Sequence, residues 1–172
     1  MPDTGGEKGL VSVVVPTYQR SRYLGRALAT VFGQRYRDWE LIVVDDNPPD
    51  SEHRRLTREF MQPYLVDPRV SYIEHDRNRG GGAARNTGIR ASRGEFVAFL
   101  DDDDEWQRDK LLRQVACMRT SGDDVGLVYC GFRRVFTSLG AYRDQLPTPE
   151  AHELGTLLAN NSIGTTSLAL CR

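Results

Sequence analysis

The sequence predicts an α/β fold built on a mainly parallel sheet, and three observations carry that prediction. Short apolar, β-branched runs alternate four times with segments whose apolar residues recur at helical spacing. The runs are continuous rather than alternating, as in strands covered on both faces. Three chain segments close in polar clusters where a strand ends, at Thr17-Tyr18, at Asp45-Asp46 and at Asp101 to Asp104. Strand ends of the same sense share one edge of a parallel sheet, and ligands bind in the crevice at that edge.

Taken in order, residues 1–9 form a flexible leader and residues 10–172 one domain. Leu10 to Val15 is a buried strand that Pro16 stops. Ser21 caps a helix whose inner face carries Tyr23, Leu24, Ala27, Leu28, Val31 and Phe32, with Gly33 near its end. Trp39 to Val44 is the second strand, and Asp45-Asp46-Asn47-Pro48-Pro49 is its exit loop. Asp50 or Ser51 caps a helix that turns Leu56, Phe60 and Met61 inward, bracketed at its exit by Pro63 and Pro68. Val70 to Ile73 is the third strand. Gly80, Gly81 and Gly82 lead into a helix that runs through Ile89 and Ala91 and stops at Gly94. Phe96 to Leu100 then emerges into five consecutive acids closed by Trp106. Asp109 to Met118 is a helix with Leu111, Leu112, Val115 and Met118 facing in, and Val125 to Tyr129 is a fifth strand. A hairpin over Phe132 to Tyr142 around Gly140, a short helix over Glu150 to Leu158 and a strand over Ser167 to Cys171 complete the reading. That last strand is expected to lie uncovered at the edge of the sheet, as in a domain truncated at its C-terminus.

Composition narrows the class of partner. The chain has 172 residues, 39% of them apolar and 27% charged, with a formal net charge of −1. No overall field draws it to nucleic acid or to a membrane. Lys8 and Lys110 are the only lysines, so nearly all its cations are arginines, the better shape for gripping phosphate in two places. Cys117, Cys130 and Cys171 form no CxxC pair, and His53, His75 and His152 have no HExxH spacing, which argues against zinc. No signal pattern and no membrane-length apolar run is present, so a cytoplasmic location is expected.

The chemistry lies in the strand-end clusters. Five adjacent acids repel one another, and a divalent cation is a natural way to offset that repulsion. The glycine run precedes a helix whose free N–H groups, with Arg85, offer an anion site. Tyr18 offers a ring for stacking on a base, and Asp46 an acceptor for a base N–H. Carboxylates, anion donors and a ring at one rim suit a metal-bound nucleoside diphosphate. Each piece also has a plainer reading: a packed tyrosine, an Asp-Asn-Pro turn, a flexible glycine loop, a solvated acidic segment. Their shared placement favours the site.

Four stretches together resemble a known family. Val13-Val14-Val15-Pro16-Thr17-Tyr18, Leu41-Ile42-Val43-Val44-Asp45-Asp46, Asn78-x-Gly80-x-Gly82-x-Ala84-Arg85-Asn86-x-Gly88 and Phe99-Leu100-Asp101-x-Asp103-Asp104-x-Trp106 are similar to the motifs of family 2 glycosyltransferases. The resemblance is strongest from Val11 to Tyr129. It implies the GT-A fold, a Rossmann-like three-layer α/β/α sandwich, and inverting, metal-dependent transfer from a UDP- or dTDP-sugar to a saccharide or glycoconjugate acceptor. It further implies that Pro16, Thr17 and Tyr18 line the base pocket, that Asp46 recognises the base and that Arg85 lies near the diphosphate. Asp101 and Asp102 would approach the ribose or metal waters, and Asp103 would bind Mn²⁺ or Mg²⁺. The family's general base follows the strand matched by Ser167 to Cys171, where this chain stops, and Asp144, Glu150 and Glu153 do not replace it. The catalytic base is therefore unassigned. Three other readings compete: a donor-binding domain without turnover, a phosphoacceptor receiver module, and a sugar nucleotidyltransferase, which is disfavoured because Pro16-Thr17-Tyr18-Gln19 is not the glycine-rich loop such enzymes carry after the first strand. The receiver is disfavoured because a strand and a helix precede the acid pair and no lysine follows a late strand.

Overall fold

A computed structural model describes residues 6–122, 124–136, 138–147 and 164–172. The elements are β1 (Glu7–Thr17), α1 (Ser21–Phe32), β2 (Trp39–Asp45), α2 (Glu52–Met61), β3 (Val70–Glu74), α3 (Gly81–Ala91), β4 (Gly94–Phe99), α4 (Lys110–Thr120), β5 (Leu127–Tyr129), β6 (Phe132–Phe136), β7 (Ala141–Gln145) and β8 (Ala169–Cys171). A 3₁₀ turn over Gln62–Val66 follows α2. The central sheet has the order β3-β2-β1-β4-β8-β5, and β6 pairs with β7 in a separate hairpin. β1 to β4 run parallel, as the strand–helix alternation predicts.

Strand residues divide by parity. Val11, Val13, Val15, Leu41 and Val43 pack with Leu24, Leu28, Met61, Leu111 and Met118, so α1, α2 and α4 cover one face. Ile42 and Val44 pack with Ala84 of α3 on the other. Burying each of these large apolar side chains contributes roughly 1.5–3 kcal/mol. α3 lies close to β1: a Cβ on Gly88 would sit 2.2 Å from Val14 Cγ1, which leaves room for no other residue.

Several expectations need correction. Residues 7–9 belong to β1 rather than to a leader, because Glu7 N–H donates to Arg93 O at 2.7 Å and Gly9 N–H to Glu95 Oε2 at 2.7 Å. Pro16 does not stop β1, which runs on to Thr17. Pairing with β4 ends at Val14↔Phe99, so the missing N–H of Pro16 falls beyond that ladder. Leu56 and Leu112 are exposed, not inward. Arg54 and Thr57 of α2 and Lys110 and Gln114 of α4 are buried instead. β8 is not an uncovered edge: it lies between β4 and β5, antiparallel to both. The helix expected over Glu150 to Leu158 lies outside the described residues.

Lys110 shows how a cation enters a core without an acid beside it. Its Nζ donates to Gln114 Oε1 at 2.6 Å and sits 4.1 Å from the centre of the Trp106 ring. Burial pushes this amine down to about 8. Among the described residues no helix is long and apolar enough to cross a membrane.

Candidate functional site

The C-terminal ends of β1, β2 and β4 meet at one edge, where each strand hands its polar residues to the next. Asp46 N–H donates to Thr17 O at 2.9 Å, and His75 N–H to Asp45 O at 2.9 Å. The exit of β2 is densely bonded. Asp45 is fully buried and ion-paired with Arg54 at 3.1 Å, and it accepts the Tyr72 hydroxyl. Arg54, itself buried, also donates to the carbonyls of Asp45, Asn47 and His75 and pairs with Glu74 at 3.2 Å. Asn47 closes the turn by donating its backbone and side-chain N–H to Asp45 Oδ1 at 2.8 and 2.7 Å.

Asp46 ties β2 to the glycine loop. Its Oδ1 accepts from Arg79 N–H at 2.8 Å and its Oδ2 from Gly80 N–H at 2.8 Å. His75 Nδ1 lies 2.7 Å from Oδ1, and a carboxylate only accepts, so Nδ1 carries the proton. Nε2 lies 2.9 Å from the Thr87 hydroxyl oxygen. Gly80 caps α3 at φ 84°, a conformation that favours glycine.

The exit of β4 is looser. Asp101 to Asp104 forms a turn, with Asp104 N–H donating to Asp101 O at 3.0 Å. Arg85 of α3 pairs with Asp101, and Asp101 N–H donates to Ser167 Oγ at 2.9 Å. Thr17 donates its hydroxyl to Asp102 Oδ2 at 2.7 Å. Arg20 donates to Asp103 Oδ2 at 2.6 Å and reaches Asp102 Oδ1 at 3.5 Å. Burial raises the Asp102 carboxyl from its ordinary value, against the Thr17 hydroxyl and Arg20, and Asp103 adds to the rise. Burial raises Asp104 as well, with Asp101 and Asp103 adding to it. Trp106 anchors the segment by donating Nε1–H to Ser167 O at 2.8 Å.

One cleft of about 290 Å³ is lined by Pro16, Thr17, Tyr18, Arg20, Asp46, Gly81, Ala84, Arg85, Asp101, Asp102 and Asp103. All eight residues singled out in the sequence therefore stand around a single cavity. Tyr18 keeps its ring exposed on the wall, with its hydroxyl accepting from Gln19 Nε2 at 2.9 Å. A larger basin of about 590 Å³ is lined by Arg35, Arg37, Arg108 and Asp109 and shares no residue with this cleft. The cleft, not the basin, holds the carboxylates and the ring together. Sequence reasoning missed Arg20 as a cleft residue, and Arg54 and His75 as the groups that hold its floor. Periodicity counts apolar residues and so passes over a buried arginine, and His75 has no partner nearby in sequence.

Among the described residues no group of three or more His, Cys, Asp or Glu side chains is arranged to hold an ion. The donor set nevertheless fits Mg²⁺ or Mn²⁺. Such ions need only one or two protein carboxylates when phosphate oxygens and water supply the rest. Asp103 is half-exposed, and among the described residues it pairs with a solvent-facing arginine. Among the described residues Arg85 Nε is buried without a hydrogen-bond partner, a donor suited to an anion.

The family model for glycosyl transferase family 2 matches residues 12–172. The chain belongs to glycosyltransferase family 2. Its relatives include UDP-Glc:alpha-D-GlcNAc-diphosphoundecaprenol beta-1,3-glucosyltransferase WfgD of Escherichia coli, 28% identical over 95% of this chain. A Bacillus subtilis glycosyltransferase assigned to teichuronic acid biosynthesis, TuaG, is 38% identical over 64% of it. The chain spans 60% and 42% of the lengths of these two relatives. Among solved structures, the mannosyltransferase PcManGT from Pyrobaculum calidifontis, in complex with GDP-Man and Mn²⁺, superposes with a TM-score of 0.59 at 28% identity. That match covers 70% of this chain and 34% of the mannosyltransferase. S. aureus TarS in complex with UDP-GlcNAc gives a TM-score of 0.56 at 28% identity, over 63% of this chain and 31% of TarS. The fold of this glycosyltransferase is thus GT-A, with helices on both faces of a mainly parallel sheet.

Proposed function

We propose that this family 2 glycosyltransferase binds a nucleoside-diphosphate sugar in the cleft and transfers the sugar, with inversion, to an acceptor hydroxyl during polysaccharide or glycoconjugate synthesis. The carrying observation is that eight residues from four distant stretches line one cavity. The complexes of PcManGT with GDP-Man and Mn²⁺ and of TarS with UDP-GlcNAc support a donor of this class. WfgD, named for glucosyl transfer to a diphosphoundecaprenol-linked sugar, supports a glycoconjugate acceptor.

In this reading Tyr18 stacks on the base and Pro16 and Thr17 shape the pocket beside it. Asp46 keeps the Arg79–Gly80 backbone in place through its two oxygens, so it positions the loop and also serves the base. Arg85 lies beside Asp101, close to where a diphosphate would pass, and offers charge to oxygens that become more negative as the bond to the sugar breaks. Asp103 would hold Mn²⁺ or Mg²⁺, with Asp101 and Asp102 turned to the ribose or to metal-bound water. The ion, when bound, acts as a Lewis acid on the departing diphosphate.

The carboxylates lining the cleft are Asp46, Asp101, Asp102 and Asp103, and each is engaged by a protein donor. None is assigned to proton removal. Asp144 faces Arg133 on the hairpin, and Glu150 and Glu153 lie outside the described residues. A second reading, which the engagement of each described cleft carboxylate supports, is a donor-binding unit without turnover. A thermal-shift panel of UDP, dTDP and GDP with and without Mn²⁺, followed by sugar-transfer assays, tests both. A metal-dependent shift supports donor binding, and transfer then separates the enzyme from the binding unit. No shift with any nucleotide overturns the proposal.

A further inference from the structure

Arg20 stands at the N-terminal cap position of α1, and its guanidinium reaches across the cleft to the exit of β4. It lies 2.6 Å from Asp103 Oδ2 and 3.5 Å from Asp102 Oδ1. Its backbone is set by Gln19, which takes φ 58° and donates its N–H to Asn47 Oδ1 at 2.8 Å. That conformation is uncommon for a residue other than glycine, and it is held by a buried asparagine. The side chain itself is half-exposed, so it can swing from the carboxylates without opening the core.

A divalent cation approaching Asp103 meets this guanidinium first. The two positive groups compete for one carboxylate. A diphosphate entering with the ion changes the balance, because it offers the guanidinium a forked acceptor in exchange for the one it loses. We infer that Arg20 is a counter-ion latch on the acidic turn, releasing Asp103 to the cation when a diphosphate arrives to take the guanidinium. The latch rests on the donor-site reading and extends it to regulation. It discourages the bare ion and couples ion and nucleotide, and by linkage each tightens the other by the same factor.

Mn²⁺ binding to the wild type, Arg20→Gln and Arg20→Lys, with and without saturating UDP, tests the latch. Free Mn²⁺ is read by electron paramagnetic resonance and UDP by calorimetry. In the wild type, UDP should tighten Mn²⁺ at least tenfold. In Arg20→Gln, Mn²⁺ alone should bind at least threefold tighter than in the wild type, and the UDP-induced tightening should fall at least threefold. Arg20→Lys, which keeps the charge but not the fork, should lie between. Mn²⁺ alone binding Arg20→Gln no tighter than the wild type overturns the latch, as does unchanged coupling. If the wild type binds Mn²⁺ with UDP and Asp103→Asn abolishes it while the Arg20 variants behave as wild type, the latch alone fails. If no protein binds Mn²⁺ with UDP, the donor-site reading fails with it.

Discussion

β2 and β4 both leave the sheet through paired acids, yet the two exits are finished differently. At the β2 exit the chain supplies its own counter-charges and donors. Asp45 meets Arg54, Tyr72 and Asn47, and Asp46 meets two backbone N–H groups and His75. At the β4 exit Asp101 to Asp104 have Arg85, Arg20 and hydroxyl groups, and burial still raises Asp102 and Asp104. The first exit is a prebuilt floor, rigid before any ligand arrives. The second carries an excess of negative charge that a bound cation, in the proposed reading, would relieve. A pair of acids after a strand is therefore ambiguous by itself, and what decides its role is whether the protein has already answered its charge.

The largest expected effect is at the floor. Arg54→Met strands the buried Asp45 carboxylate and takes a donor from the carbonyls of Asp45, Asn47 and His75. Urea unfolding should show a loss of about 3–5 kcal/mol, and a loss under about 1 kcal/mol would break the contrast. Asp46→Asn keeps the shape but leaves one oxygen where two accepted, so one of the Arg79 and Gly80 N–H groups meets an amide N–H and loses its bond; this should cost about 1–3 kcal/mol in the same assay. Asp103→Asn inverts the pattern. Its stability should stay within about 0.5 kcal/mol of the wild type, while Mn²⁺-dependent UDP binding measured by calorimetry should fall at least about tenfold.

The smallest effect concerns pH. Asp102 is raised by burial, so folding is opposed while this carboxylate is ionised and the opposition fades as pH falls through its folded value. Asparagine carries no such penalty and still accepts the Thr17 hydroxyl. Asp102→Asn should therefore be slightly more stable than the wild type at pH 7, with the margin shrinking toward pH 4. Paired melting curves across that range check the sign.

The parallel half of the fold was legible because continuous runs such as Val11 to Val15 and Leu41 to Val44 leave few alternatives to a strand covered on both faces. The cleft was legible for a related reason: parallel strands deliver their ends to one rim, so Tyr18, Asp46 and Asp103 had to come together once the sheet was granted. Three features were not legible. The α2 and α4 faces bury Arg54 and Lys110, and a hydrophobic pattern assigns such residues to solvent. Arg20 and Asp103 are 83 positions apart, and no local signal pairs them. The insertion of β8 between β4 and β5 depends on tertiary pairing, since Leu168, Ala169 and Leu170 read equally well as an edge strand.

That insertion imposes a schedule on synthesis. As the nascent chain leaves the ribosome, β1 to α4 emerge first, and the parallel pairs of β1 to β4 need no later strand. β5 emerges soon afterwards with no strand to join, and waits for about forty more residues until β8 arrives to bridge it to β4. Ser167, which receives the Asp101 N–H and the Trp106 indole, comes with that late segment. The acidic turn thus gains its Ser167 contacts last, and a stalled or clipped chain would hold that turn only through Arg85, Thr17 and Arg20.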